Sequence, residues 1–535
     1  MIKINVGLTG ATGTLGKASI PILLGVDNIA LKIIIRPSKK NIRFARSLKK
    51  KYKNNITIMY GDITNKNDCS QFVHGCEYII HAAGVIPPAT DHYPTRTIKT
   101  NVDGTKNIID AILSDFDGDN IHLIHVSSLA VYGSRNKNHP WARVGDPLIP
   151  SIYDTYGYSK ILAERAVLDS NLKYYVSLRE SAVLYKDMIL KNMNDGLIFH
   201  TPFNGPLEWV TDYDTAILFK NIILKDASKM LAKEFWNKVY NVGSGVDGRK
   251  TGFEAINDGF MIMGRSAKDY FKPNYNITRN FHGVWFADSL VLNSYTDYLN
   301  KSYSYFWKKY TKNHWYFKVG RIIPKSWISK LVIQRLFKDP NSPRYWVDHN
   351  IEGRIECFFG SIDKYKEIGE DWQYYKLWCE EEGYIEEKSG SNIVLTSLGF
   401  DEYKKPSEID LNDCIKAAAF RGGKCLSTKM EKGDIYKPLR WRCFQGHEFY
   451  ATPYAVLFAG HWCTECFDAN SWQLDYIASH VPFYAQVWYD EHEKGEVNRI
   501  YPYKADELPE IIYENKKKWW PHFFFSTLRL KHLLP

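Results

Sequence analysis

The run Thr9-Gly10-Ala11-Thr12-Gly13-Thr14-Leu15-Gly16 follows a strand-like apolar stretch, Val6-Gly7-Leu8, and opens a helical stretch from Leu15 to Leu24. Three glycines at this spacing between a strand and a helix restrict the fold sharply. Gly10 permits a tight turn, Gly13 lets backbone N–H groups approach an anion, and Gly16 allows the helix to pack closely on the strand. The helix then points its free amides and positive dipole end at that anion. The pattern predicts a dinucleotide pyrophosphate over this turn, with Thr12 and Leu15 beside it.

The residues downstream repeat the same grammar. Leu31-Lys32-Ile33-Ile34-Ile35, Ile56 to Tyr60, Tyr78-Ile79-Ile80-His81 and Ile121 to Val126 are short apolar runs separated by helical stretches. Alternating β and α units with apolar strands imply a parallel sheet covered on both faces. The expected fold is α/β: a Rossmann-type doubly wound sheet over residues 1–180, with a smaller substrate lobe over 180–310. Residues 311–410 are rich in aromatics and charges but carry no motif. A zinc-ribbon-like module is expected over 411–470 and an extension over 471–535. With 535 residues, 44% hydrophobic and 15% aromatic, the chain has ample surface to bury and is not a disordered polymer. Its net charge of +10 is mild at this length and needs no nucleic acid to explain it, since a dinucleotide is itself anionic. No signal-peptide pattern and no uncharged run near the ~20 residues of a membrane span are visible, so a cytoplasmic protein is expected.

The second strand ends in Ile35-Arg36-Pro37-Ser38-Lys39-Lys40. An NAD site commonly places a carboxylate here for the ribose 2′-hydroxyl. A guanidinium instead suits a 2′-phosphate. Arg36 therefore points to NADP, with NAD as the alternative.

Tyr156-Gly157-Tyr158-Ser159-Lys160 sets Tyr156 and Lys160 four residues apart, on one helix face. A phenol with a pKa near ~10 is a poor acid–base group at neutral pH, and a nearby ammonium is expected to lower it. Ser128, at the end of a strand, is placed to hold a substrate oxygen.

These residues occur with Gly61-Asp62-Ile63, His81-Ala82-Ala83-Gly84, Asn101-Val102-Asp103-Gly104-Thr105, Val126 to Gly133 and Tyr240-Asn241-Val242-Gly243. In that order and spacing, residues 1–310 resemble the short-chain dehydrogenase/reductase superfamily, in its extended, epimerase/dehydratase-like branch. The resemblance implies Tyr156 as general acid/base, Lys160 holding the nicotinamide ribose, Ser128 binding the reacting oxygen and Asn101 supporting the active-site helix. It places Asp62 and Ile63 near adenine and Ala82 and Ala83 along the cofactor. Where sugar-nucleotide dehydratases of that branch carry Thr-Asp-Glu, this chain has Ser128-Leu129-Ala130, which argues against elimination of water.

Five of nine cysteines lie between Cys414 and Cys466. Cys443 and His447 form a C-x3-H pair and Cys463 and Cys466 a C-x2-C pair, a donor set that suits a closed, structural zinc site. His461 and Cys425 are spare candidates. The segment 421–466 resembles a treble-clef-like zinc ribbon. Lys424, Lys429, Lys437, Arg440 and Arg442 keep nucleic acid in view as a partner of this module, although a folding staple is the favoured role. The terminal Lys516-Lys517-Lys518-Trp519-Trp520 stretch is expected to pack on its own protein, with a membrane surface or nucleic acid as alternatives.

The leading functional expectation is NADPH-dependent reduction of a ketone or aldehyde. A nucleotide-sugar epimerase is the first alternative, and an NADPH-sensing regulator with a nucleic-acid-binding zinc module the second. The expected partners are a carbonyl or nucleotide-sugar substrate, with a homodimer also entertained.

Overall fold

The computed structural model describes residues 3–186, 188, 195–322, 324–467, 471–496 and 501–502. The basic aromatic stretch at 516–525 lies outside them.

Seven parallel strands form the central sheet. They are β1 (Ile4–Thr9), β2 (Ile29–Ile35), β3 (Ile56–Tyr60), β4 (Tyr78–His81), β5 (His122–Ser128), β7 (Tyr174–Glu180) and β10 (Lys238–Val242), in the order β10-β7-β5-β4-β1-β2-β3. Strand order reverses beside β1, which places the glycine turn at the crevice where such sheets bind ligands. Side chains alternate across the sheet, as a period of two requires. Val6, Leu8, Ile80, Ile124, Val126 and Leu178 pack on one face with α1 (Thr14–Leu23). Ile79, Leu123, Tyr175 and Val239 pack on the other. That second face is covered by α3 (Lys66–Val73), α4 (Gly104–Ser114) and α5 (Thr155–Leu168), while α2 (Lys39–Tyr52) flanks β2 and β3 and α6 (Asp212–Ala227) joins α1.

Two smaller sheets build the lobe. The first pairs β6 (Trp141–Ala142) with β12 (Trp285–Phe286). The second has the order β11-β9-β8, from β8 (Ala182–Leu184), β9 (Pro206–Thr211) and β11 (Arg249–Thr251). The motif-free stretch 311–410 folds onto this lobe through aromatic contacts. Trp378 stacks on Trp285 with centroids 4.7 Å apart, and Trp372 lies 5.2 Å from Phe203. Arg143 reaches across to donate to the Thr396 carbonyl (2.7 Å).

The carboxyl-terminal module has a three-stranded antiparallel sheet, β13 (Lys424–Cys425), β14 (Leu439–Arg442) and β15 (Glu448–Ala451), preceded by α7 (Leu411–Phe420). Its apolar residues are continuous with the α4/α5 side of the main sheet. Val167 and Leu168 of α5 share one buried cluster with Trp441, Trp462 and Val456. Leu474, Phe483 and Tyr484, from α8 (Leu474–His480) and α9 (Pro482–Trp488), belong to the same cluster, so the core runs on past residue 470. Among the described residues, no helix is long and apolar enough to cross a membrane.

Candidate active site and metal centre

The glycine turn is shaped by backbone contact. Gly10 has φ +71°, and a Cβ there would stand 2.5 Å from the Ala82 carbonyl oxygen. A Cβ on Gly16 would stand 2.3 Å from the Gly10 oxygen. Gly13 differs: it is exposed, and an added Cβ would meet only the Gly10 oxygen, at 3.1 Å. Helices α2, α3, α5 and α6 each have a side-chain N-cap, from Ser38, Asn65, Asp154 and Thr211. Helix α1 begins at Gly13 without one. Its first amides therefore lack a side-chain acceptor beside an open glycine, which fits a phosphate oxygen. Thr12 and Leu15 are half-buried at this turn.

A buried hydrogen-bond chain, which sequence reading missed, fixes the turn against β4. The Thr9 hydroxyl accepts from Ala83 N (3.0 Å) and contacts His81 Nδ1 (2.9 Å), and His81 Nε2 contacts the Thr105 hydroxyl (3.0 Å). Thr105 donates to the Asn101 carbonyl (2.6 Å), so the proton is assigned to Nε2 of His81. Burial, with Lys160 nearby, lowers His81 to about 3 and keeps it neutral. Ala82 and Ala83 thus lie against the turn. Arg36 is exposed at the end of β2, and its carbonyl accepts from Asn41 Nδ2 (2.8 Å). Asp62 accepts from Thr64 N and Oγ1 (both 3.0 Å), and Ile63 is buried against Gly104.

Ser128, Tyr156, Lys160 and Asn101 come together at the carboxyl ends of β4 and β5. The Tyr156 side chain faces Ser128, whose hydroxyl accepts from Ala130 N (3.2 Å). Lys160 Nζ donates to the Val126 carbonyl (2.7 Å) and lies 5.8 Å from the Tyr156 ring centroid. Asn101 accepts from Val85 N (2.7 Å) and donates to Val85 O (3.0 Å) and the Ser159 hydroxyl (2.9 Å), tying the loop after β4 to α5. The electrostatics depart from the expectation for Tyr156. Enclosure of its side chain, reinforced by Asp154 and Glu180, pushes the phenol up to about 12 although Ser128 opposes the rise. Burial lowers Lys160 to about 8 even though Glu164 opposes it. Tyr156 is therefore protonated and neutral here; its desolvation outweighs any help from the ammonium.

The surroundings of Tyr156 are polar. His282 Nδ1 bonds Asp154 Oδ2 at 2.6 Å, and its ring centroid lies 6.1 Å from that of Tyr156. Burial first, then Asp154, raises Asp91 to about 6. Glu180 is the register partner of Ser128, is buried, and rises to about 8 through burial. Its Oε1 takes the Thr215 hydroxyl, while Oε2 has no hydrogen-bond partner among the described residues. Asp154 carried a legible signal, the N-cap pattern before Gly157. His282 carried none, since it arrives from 128 residues away. Leu129 and Ala130 are buried, so the carboxyl groups in this region come from other elements.

The hairpin β14–β15 turns through Cys443 and His447, with Cys443 N donating to His447 O (3.0 Å) and Gly446 at φ +90°. Cys463 and Cys466 approach from the following loop. One donor atom from each of the four residues lies within 4.8 Å of the others, with His447 Nδ1 3.6 Å from Cys463 Sγ and 3.8 Å from Cys466 Sγ. Tetrahedral zinc with bonds of about 2.0–2.3 Å requires ligand separations of roughly 3.5–3.8 Å. The spare candidates stand apart: Cys425 Sγ faces Ser427 O at 4.0 Å, and His461 Nε2 faces Glu164 Oε1 at 2.9 Å. Arg440 and Arg442 both pair with Glu448, which reduces the charge this face offers to nucleic acid.

Comparison with known proteins gives the same reading of the first third of the chain. Residues 6–184 match the NAD dependent epimerase/dehydratase family. The stretch runs from β1 through β8 and contains Asn101, Ser128, Tyr156 and Lys160. Over 118 residues the chain is 31% identical to 3 beta-hydroxysteroid dehydrogenase type 7 of Mus musculus, covering 22% of this chain and 31% of that protein. Over 115 residues it is 30% identical to UDP-glucose 4-epimerase of Rickettsia canadensis, covering 20% of this chain and 32% of that one. The chain thus spans about a third of the length of these relatives. Among solved structures, dTDP-glucose 4,6-dehydratase of Bacillus anthracis in complex with NAD aligns at 19% identity and TM-score 0.45, over 59% of this chain and 99% of that one.

Proposed function

We propose that the amino-terminal domain binds a nicotinamide dinucleotide and interconverts a carbinol and a carbonyl, with Tyr156 moving the proton at the substrate oxygen. The observation that carries this reading is the convergence of Ser128, Tyr156, Lys160 and Asn101 at the carboxyl ends of β4 and β5, in the same sheet whose β1 leads into the uncapped start of α1. The nicotinamide supplies or accepts the hydride. Ser128 holds the reacting oxygen, and Tyr156, neutral at physiological pH, donates its proton as that oxygen becomes a hydroxyl. Lys160 presents its ammonium to the ribose hydroxyls, and Arg36 favours a 2′-phosphate, hence NADPH over NADH.

Two substrate classes share this chemistry. Reduction of a simple ketone or aldehyde is supported by the dissociable cofactor that Arg36 suggests and by the hydroxysteroid dehydrogenase relatives. Epimerisation of a nucleotide sugar is supported by Asp154 and His282 beside Tyr156, which suit a hydroxyl-rich substrate, and by the epimerase relatives. In the carboxyl-terminal module, Cys443, His447, Cys463 and Cys466 hold a structural zinc, with no position left open for a substrate. The test is turnover with NADPH against a panel of ketones and UDP-sugars. Tyr156→Phe is expected to lose about 10²–10⁴-fold in rate while still binding NADPH. Full activity in that variant would remove Tyr156 from the mechanism.

A further inference from the structure

Helix α5 carries Tyr156 and Lys160 on its first turns, and ten of its fourteen residues are buried. A helix that covers one face of a sheet buries a single stripe, so burial on this scale requires a second partner on its outer side. The neighbouring stretches 94–114 and 129–132 supply part of that cover, and the carboxyl-terminal module adds Ala459-Gly460-His461-Trp462, the four residues immediately before Cys463. The Ala459 carbonyl accepts from Arg179 Nη2 (2.7 Å), and the Trp462 carbonyl accepts from Arg165 Nη1 (2.8 Å). Arg165 Nη2 also donates to the carbonyl of Tyr450, in β15 (2.8 Å). His461 Nε2 donates to Glu164 Oε1 (2.9 Å), with both side chains fully buried. Gly460 has φ +73°, and a Cβ there would stand 2.1 Å from the Asp146 carbonyl oxygen, so the segment lies flush against the Rossmann domain.

Glu164 is the pivot. It lies one turn beyond Lys160 and accepts from Ser177, Arg179 and His461. Burial alone would keep such a carboxyl neutral, but Arg179 and His461 hold it ionised. Its charge in turn supports the ammonium of Lys160. A buried carboxylate that loses a donor is left under-satisfied, which loosens the helix that bears it.

We propose that the Cys443–His447–Cys463–Cys466 centre is a clamp on the active-site helix: bound zinc fixes Ala459–Trp462 against α5 and β7 and so holds Lys160 and Tyr156 in register for the dinucleotide. The proposal rests on the zinc assignment and extends it from folding staple to positioning device. His461 is the positioning residue; it touches neither cofactor nor substrate.

The test uses the full-length protein with its metal content measured, read by amide hydrogen exchange in peptides covering 155–168 and, as a control, 39–52 in α2. Zinc removal by a chelator is expected to speed exchange at 155–168 by about tenfold or more while 39–52 stays unchanged. His461→Ala should do the same with zinc retained, His461→Gln, which keeps an N–H donor, should restore protection, and chelation of His461→Ala should add little. NADPH affinity should fall in parallel with exposure of 155–168. If zinc leaves and 155–168 stays protected, the zinc assignment stands and the clamp is overturned. If the protein holds no zinc and takes up none when it is added, both are overturned. Should chelation unfold the whole chain, the zinc-loaded His461 pair decides: equal protection in Ala and Gln variants contradicts the clamp.

Discussion

Tyr156 and Lys160 sit one helical turn apart, and burial moves their acid constants toward neutral charge in both: the phenol rises to about 12 and the ammonium falls to about 8. The second shift has a measurable sign. Lys160 is charged below about pH 8 and neutral above it, so its hold on the dinucleotide should weaken as pH rises through 8. Titrations between pH 6.5 and 9.5 should show that loss in the wild type and a flat profile in Lys160→Met. A flat wild-type profile would mean that Lys160 does not contact the cofactor. Tyr156 and Lys160 were singled out by their i, i+4 spacing and Ser128 by its place at a strand end, whereas Asn101 was named only through the family resemblance. His282 and Glu180 were not legible, because what brings them to Tyr156 and Ser128 is a lobe distant in sequence for the first and strand register for the second. The lowered phenol expected from the Tyr-x-x-x-Lys spacing failed for a related reason: spacing reveals a neighbouring charge, not the desolvation that opposes it.

At the scale of elements, the start of α1 separates two roles that glycine plays. A methyl at Gly16 would overlap the Gly10 carbonyl at 2.3 Å, whereas one at Gly13 meets only that oxygen, at 3.1 Å, and otherwise points into the open turn. Gly16→Ala should therefore cost about 1–3 kcal/mol of stability. Gly13→Ala should melt within a few degrees of the wild type yet bind the dinucleotide more weakly, since its methyl would stand in the path of the pyrophosphate in the binding mode proposed. Equal cofactor affinity in Gly13→Ala and wild type, read by NADPH fluorescence, would remove the phosphate from that turn. The strands and α1 were readable from apolar runs and glycines. The near-complete burial of α5 was not foreseen, because its second partner is a loop that begins about 290 residues later.

For the whole molecule, the excess of aromatic residues finds its place in the seam between the lobe and the stretch 311–410. Trp141 and Trp285 are buried against Trp378 and Tyr384, and no local spacing announced that pairing. The amino-terminal domain is consequently not an independent unit with a carboxyl-terminal ornament. A fragment ending at residue 310 would expose these tryptophans and the outer face of α5. It should aggregate or melt without cooperativity, as followed by light scattering and calorimetry. A soluble fragment melting within a few degrees of the full chain would contradict this architecture.

On the function proposed, the Thr9–Gly16 turn and α1 hold a nicotinamide dinucleotide, with Arg36 favouring the 2′-phosphate. The most direct test is a fluorescence titration of the purified full-length protein with NADPH and, separately, NADH. Saturable one-to-one binding with NADPH the tighter ligand is the predicted result; binding of neither dinucleotide would remove the cofactor from this turn, and tighter NADH would overturn the role given to Arg36.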